Sequence, residues 1–415
     1  MNILMIGNGF DLAHGLPTGY IDFLEFCKRV KRIYTYSETT SVKVYKAKQL
    51  EKWKINDYVK KQLLIAFENR KCNTVNNGDG VNIIEVTTNK VLDELYTLIN
   101  NNTWIEYFLN CPSYVGENWI DFESEISRVI QALDTGRHLV KTEGSVMGVD
   151  RNESEILVAL WKAAKTSLQK VYKDDKAIRE FTIFLNGELE KMIRALEIYI
   201  DEFVGKIAVE KMSEDIKTMN PDHILSFNYS NTYERLYAKG TGIEYDYIHG
   251  KADVNNVVVT NNIVLGINEY LSDDRRNEDV EFIAFKKFYQ RIHKATGCKY
   301  KEWVEKIVKD DNKKNPWIYD NKEHSRDNRH KLYIFGHSLD VTDKDILKEL
   351  ILNDNVDTTI FYYERKDNNG NGDNGRKELG CKIANLVKVI GQDELIKRTG
   401  GSTKTIEFKL QSDMV

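Results

Sequence analysis

A chain of 415 residues is long enough to bury two or three domain cores, so its size excludes little. With 41% hydrophobic and 30% charged residues it has ordinary globular usage, and a formal net charge of −4 argues against general affinity for nucleic acid backbones, which needs clustered Lys and Arg. The five cysteines, Cys27, Cys72, Cys111, Cys298 and Cys381, contain no CxxC spacing and read as reduced thiols, without a disulfide frame or a bound metal.

The opening MNILMIGNGF has a short apolar run with no basic leader, and reads as a buried strand over Ile3–Ile6 rather than a signal peptide. A helix is predicted from about Leu12, or after Thr18, which could cap one carrying Ile21, Phe23, Leu24 and Phe26 on one side. Helical periodicity then dominates, over Val59–Phe67, Val91–Ile99, Ile126–Leu133, Ile156–Leu168 and Ile178–Met212. Asn73–Asn82 and Gly136–Asn152 read as surface loops. Strand patterns resume at His223–Phe227, Glu244–Ile248 and Val257–Leu265, and return at Lys331–Phe335 and Thr358–Tyr363, with an edge strand at Thr405–Leu410. Between them Val280–Val308 has helical spacing, and the basic stretch Lys286–Lys331 reads as a solvated helix face. The expected fold is α/β: a mostly parallel, Rossmann-like sheet with large helical insertions. Its nucleotide-binding core spans 1–30 and 220–365, with a helical insertion at 31–219, a second at 275–325, and a C-terminal segment at 366–415. No stretch is apolar for long enough to span a bilayer, and a cytoplasmic protein is expected.

Four polar motifs fall where strands end. Gly7-Asn8-Gly9-Phe10-Asp11 follows the first strand; two positions without Cβ atoms could bring backbone amides and a helix end to a diphosphate. A tight strand-to-helix turn needs the same residues, and Leu12 stands where GxGxxG has its third glycine. Asp11 would repel a phosphate and suits ribose hydroxyls, loop amides or a helix cap. Ser226-Phe227-Asn228 puts an amide at the next strand end, His249-Gly250 places an imidazole beside a glycine, and Phe335-Gly336-His337-Ser338 closes the set. Each alone has a structural reading in loop bonding, but in a parallel sheet all four converge on one crevice. His14 lies close to the first motif, where a helix or loop hydrogen bond is its expected use. Asp121, Glu123 and Glu125 could bind divalent ions for phosphodiester cleavage, although the same acids suit the first turn of a helix. Asp367–Gly375 is glycine-rich without the Lys-Ser or Lys-Thr of a phosphate loop, and reads as a turn.

IGNGFDLAHGLPT at Ile6–Thr18, SFNYSNTYERLY at Ser226–Tyr237, YIHGK at Tyr247–Lys251 and FGHSLDVTDKDIL at Phe335–Leu347 resemble the signature of the abortive phage infection AbiH family. Those motifs are in turn similar, more distantly, to sirtuin-like NAD-binding proteins. The resemblance implies phage defence through hydrolysis of NAD or a related nucleotide. Asn228 and His249 would be catalytic, and Gly7, Asn8, Gly9, Phe10, Asp11, Gly250, Gly336 and Ser338 would hold the nucleotide. No metal is implied, and the zinc cysteines of protein deacetylases are absent. A nucleotide-binding sensor or scaffold and a metal-dependent nuclease are the alternatives. The phage trigger and homo-oligomerisation stay open.

Overall fold

The computed structural model describes residues 1–37, 53, 55–69, 73–76, 82–85, 90–111, 121–143, 148–238, 242–271, 280–313, 329–364, 372–373 and 375–415. The chain divides into two compact units. One comprises Met1–Leu16, Ala208–Lys251 and Ala295–Val415; the other comprises Pro17–Ile207 and Ala252–Lys294.

The first unit is built on a six-stranded sheet of β1 (Asn2–Ile6), β2 (His223–Ser226), β3 (Glu244–Tyr247), β4 (His330–Phe335), β5 (Val356–Tyr362) and β6 (Ile406–Leu410). Every pairing is parallel. The strand order is β3-β2-β1-β4-β5-β6, which places β6 at an edge and reverses the winding between β1 and β4. That is the doubly wound α/β order, whose ligand crevice lies at the carboxyl ends of the strands beside the reversal. Both faces are covered, which explains the unbroken apolar run of β1. Ile3 and Met5 pack with Leu225, Leu332, Ile334 and Ile360, and with Trp303, Leu347 and Leu386 from the covering helices. Leu4 and Ile6 turn to the opposite face, where they meet Phe10, Ile216, Ile224, Tyr233 and Phe335. Each such aliphatic side chain contributes about 1.5–3 kcal/mol by leaving water.

The second unit is mostly helical. Its longest helix, Asp175–Ile198, passes into a π turn at Tyr199–Phe203 and a 3-10 turn at Val204–Lys206. Phe23, Phe26, Phe108, Phe122 and Tyr199 pack in its core, with Phe108 and Phe122 stacked at 4.4 Å.

Several boundaries differ from the sequence pattern, each for a local reason. The first helix, Asn8–Ala13, starts directly after β1, because the extended Gly7 is its N-cap and the Gly7 carbonyl accepts from Phe10 N–H at 2.8 Å. The next begins at Tyr20. The predicted helix to Met212 ends at Lys206, where Ile207 turns extended. Gly136 lies inside the helix Phe122–Glu143, not in a loop: a Cβ there would meet the Tyr172 hydroxyl at 2.4 Å, and that hydroxyl donates to the Leu133 carbonyl. Arg151 and Asn152 open the next helix behind the N-cap Asp150. Asn73–Asn76 and Asn82–Glu85 pair as antiparallel strands, since the β-branched Thr74, Val75, Ile83 and Ile84 favour extension. Val257–Leu265 forms no strand: the Thr260 hydroxyl accepts from Val257 N–H at 2.9 Å and folds the segment into a turn, leaving Val259 exposed. The helical spacing of Val280–Val308 corresponds to two helices, Lys287–His293 and Tyr300–Lys313. Cys27, Cys111, Cys298 and Cys381 are free thiols; Cys72 and most of Asp367–Gly375 lie outside the described residues.

Candidate functional site

The two glycine motifs meet each other. Gly7 N–H donates to the Phe335 carbonyl at 3.2 Å and Gly9 N–H to the Gly336 carbonyl at 2.8 Å, so the loops after β1 and β4 touch through their backbones. A Cβ on Gly7 would lie 2.7 Å from His337 Cα, and one on Gly9 2.8 Å from the Gly336 oxygen. Gly336 has φ of +69°, and its Cβ would stand 2.1 Å from Phe10 N. Close packing between loops is therefore what these glycines provide, and the amides of Gly7, Gly9 and Phe10 are spent on carbonyls of the protein. The Phe10 ring is fully buried among His14, Tyr233, Tyr237 and Phe335 as a core side chain. Asn8 and Ser338, by contrast, are exposed. His14 is structural: its Nδ1 lies 2.7 Å from the Phe10 carbonyl and its Nε2 2.6 Å from the Tyr237 hydroxyl.

Beyond β2 the chain makes a tight serine turn, in which Ser226 Oγ accepts from Asn228 N–H and donates to the Asn228 carbonyl, both at 3.1 Å. The turn leaves the Asn228 side chain 5% exposed with neither its Oδ1 nor its Nδ2 hydrogen-bonded among the described residues. Asp11 is 1% exposed; Ser230 Oγ donates to its Oδ2 at 2.6 Å, while Oδ1 is buried with no hydrogen-bond partner among the described residues. Burial pushes the Asp11 carboxyl up to about 6, against the opposing hydrogen bonds of Ser230 and Thr232.

The loop after β3 is held to the helix Thr232–Tyr237 by Glu234, which accepts from the Tyr247 hydroxyl at 2.8 Å and from Lys251 Nζ at 2.7 Å. Between those anchors sits His249, buried, followed by Gly250 with φ of +82°. Its ring lies against Phe227 at 5.5 Å between centroids, and His337 packs on the same phenyl ring at 4.3 Å. Asp343 stands between the two imidazoles, its Oδ1 3.5 Å from His249 Nε2 and its Oδ2 3.5 Å from His337 Nε2. His337 and Asp343 share the sequence motif of Gly336 and Ser338, and a histidine at a strand end is the signal that marks the first of them. Four strand ends thus gather buried, titratable and orphaned polar groups at one edge of a single unit.

The family model described as bacteriophage abortive infection AbiH matches residues 3–363. The chain belongs to the AbiH family. No curated protein and no solved structure matches it.

In this AbiH chain the acidic trio belongs to the helical unit. Asp121 accepts from Glu123 N–H at 3.2 Å and from Ser124 Oγ at 2.6 Å as a helix cap. Glu123 pairs with Lys287 at 2.6 Å, and Glu125 with Arg128 at 2.8 Å. Among the described residues no three or more His, Cys, Asp and Glu side chains group so as to hold a metal ion. The basic stretch is not a solvated face where it begins: Lys286, Lys287 and Lys294 are largely buried and pair with Glu269, Glu123 and Glu190. Among the described residues no helix is long and apolar enough to cross a membrane.

Proposed function

We propose that this AbiH protein binds NAD or a related nucleotide at the carboxyl ends of β1 to β4 and hydrolyses its nicotinamide–ribose bond. The observation that carries the reading is Asn228, whose buried amide has an acceptor and a donor with no partner among the described residues. Such atoms cost about 1–3 kcal/mol each when left unpaired, so native proteins seldom keep them without a use. A ribose hydroxyl, at once donor and acceptor, fits that amide. Asp11, with one oxygen taken by Ser230, adds a second acceptor suited to a diol.

In this reading the diphosphate lies over the touching loops, against Gly9 and Gly336 and the exposed Asn8 and Ser338, and Gly250 lets the ribose approach His249. The nicotinamide leaves as a neutral molecule, so the site has no need to protonate it. It must orient ribose and water and take one proton, tasks that fall to Asn228 and His249.

The test is NAD, ADP-ribose and nicotinamide measured in phage-challenged cells, together with mass spectrometry of nucleotides released from the purified protein. Asn228→Ala and His249→Ala should each slow NAD loss by about a hundredfold, the lower end of what positioned acid–base groups supply. NAD that stays intact through phage-triggered growth arrest would defeat the hydrolase reading. A bound nucleotide released unchanged in that case would make the protein a sensor.

A further inference from the structure

Asp343 closes the one-turn 3-10 helix Val341–Asp343, whose start is capped by Asp340 Oδ1 accepting from Thr342 N–H at 3.0 Å. It is 8% exposed, and each of its carboxylate oxygens faces a different imidazole at 3.5 Å. The tautomer of one of these rings is set by the backbone. His337 Nδ1 accepts from Leu339 N–H at 3.0 Å, so the ring proton sits on Nε2, toward Asp343. Leu339 gives that N–H from a left-handed conformation, φ +59°, which a leucine adopts only at a cost in strain. Phe227 packs against both rings, and Lys382 Nζ donates to the His337 carbonyl at 2.8 Å.

We infer that Asp343 is the positioning residue of this site, holding His249 and His337 by their Nε2 atoms so that His249 presents its Nδ1 lone pair to the reacting water or hydroxyl. The inference rests on the proposed role of His249 as the base. The 3.5 Å contact suits a site that tightens when substrate binds. Water oxygen bonds to the ribose C1′ as the C1′–N bond breaks, its electron pair staying on nicotinamide. The water proton passes to His249 Nδ1 and later to solvent. The single carboxylate compensates the one imidazolium that forms, whereas a second proton on His337 would leave a net positive charge in a buried cluster. Among the described residues, Lys382 donates to the His337 carbonyl and pairs with Glu378, and Asp340 caps the turn that carries Asp343.

Selective 15N labelling of histidine, with His249 assigned from a His249→Gln spectrum, tests the arrangement without substrate. His249 should be protonated on Nε2 in the wild type, and Asp343→Asn should lower its titration midpoint by about one pH unit or more, as loss of an adjacent opposite charge does. In NAD turnover the same variant should lose about a hundredfold in kcat with KM little changed, and its acidic limb should move to lower pH. Asp343→Glu, which keeps the charge, should recover part of the loss. A wild-type His249 protonated on Nδ1, or a titration unmoved in folded Asp343→Asn protein, overturns the inference. If Asp343→Asn does not fold, the wild-type tautomer decides. If wild-type protein leaves NAD intact, the hydrolase reading fails while the tautomer and titration still decide the pairing.

Discussion

Two buried polar side chains, one in each unit, are treated in opposite ways. In the helical unit Arg194 is 1% exposed, and its guanidinium donates to Glu94 at 2.9 Å, Glu197 at 2.6 Å and the carbonyls of Asp253 and Val254 at 3.1 and 2.8 Å. In the sheet unit Asn228 is nearly as buried, yet its amide is bonded to none of the described residues. A charge that is wholly used by its surroundings is architecture, because it fastens the 253–254 loop to the long helix. An amide that its surroundings leave unused costs stability, and in the proposed reading a bound ribose offsets that cost.

The contrast can be broken by substitution. The largest effect is expected at Arg194: Arg194→Met leaves Glu197 as a buried carboxylate without its counter-ion, held among the described residues only by Asn256 Nδ2 and Asp253 N–H, and should cost about 3–5 kcal/mol in denaturant unfolding of the helical unit. A loss of under about 1 kcal/mol would mean that the network is dispensable. A smaller effect follows at Asp11, and it depends on pH. Its folded pKa of about 6 lies above the ordinary value of 3.8, so the penalty for its charge is absent below pH 4, grows between 4 and 6, and is complete above 6. Asp11→Asn, which can still accept from Ser230, should therefore raise stability at pH 8 by up to about 3 kcal/mol and leave it unchanged at pH 4. A gain of equal size at both pH values would show that charge is not the cause. The smallest net stability change is expected for Asn228→Ala, within about 1 kcal/mol: no side-chain hydrogen bond is lost, and the relief from removing two unpaired buried atoms is offset by the packing that the side chain gives up. An Asn228→Ala protein as unstable as the Arg194 variant would make the amide structural and remove the main support for a ligand there.

Much of the sheet was legible because parallel strands covered on both faces carry unbroken apolar runs, as Ile3–Ile6 and Leu332–Phe335 do. The same rule failed at Val257–Leu265, where a threonine hydroxyl three residues on closed a turn that hydrophobic pattern cannot report. Charge patterning failed at Lys286 and Lys287, which suggest a solvated face but are buried in pairs with Glu269 and Glu123.

By itself the sequence determined the family, the strand ends and the residue types gathered there, since motif spacing and hydrophobic period are local properties of the chain. Tertiary structure decided which strand ends are neighbours, and so what each residue is for. The β1–β4 pairing turned Gly7, Gly9 and Gly336 into contacts between backbones, where a Cβ would collide. It also brought Asp343 between two histidines that lie 88 residues apart in sequence, 249 and 337. Strand order is a property of non-local pairing, and no local period in the sequence encodes it.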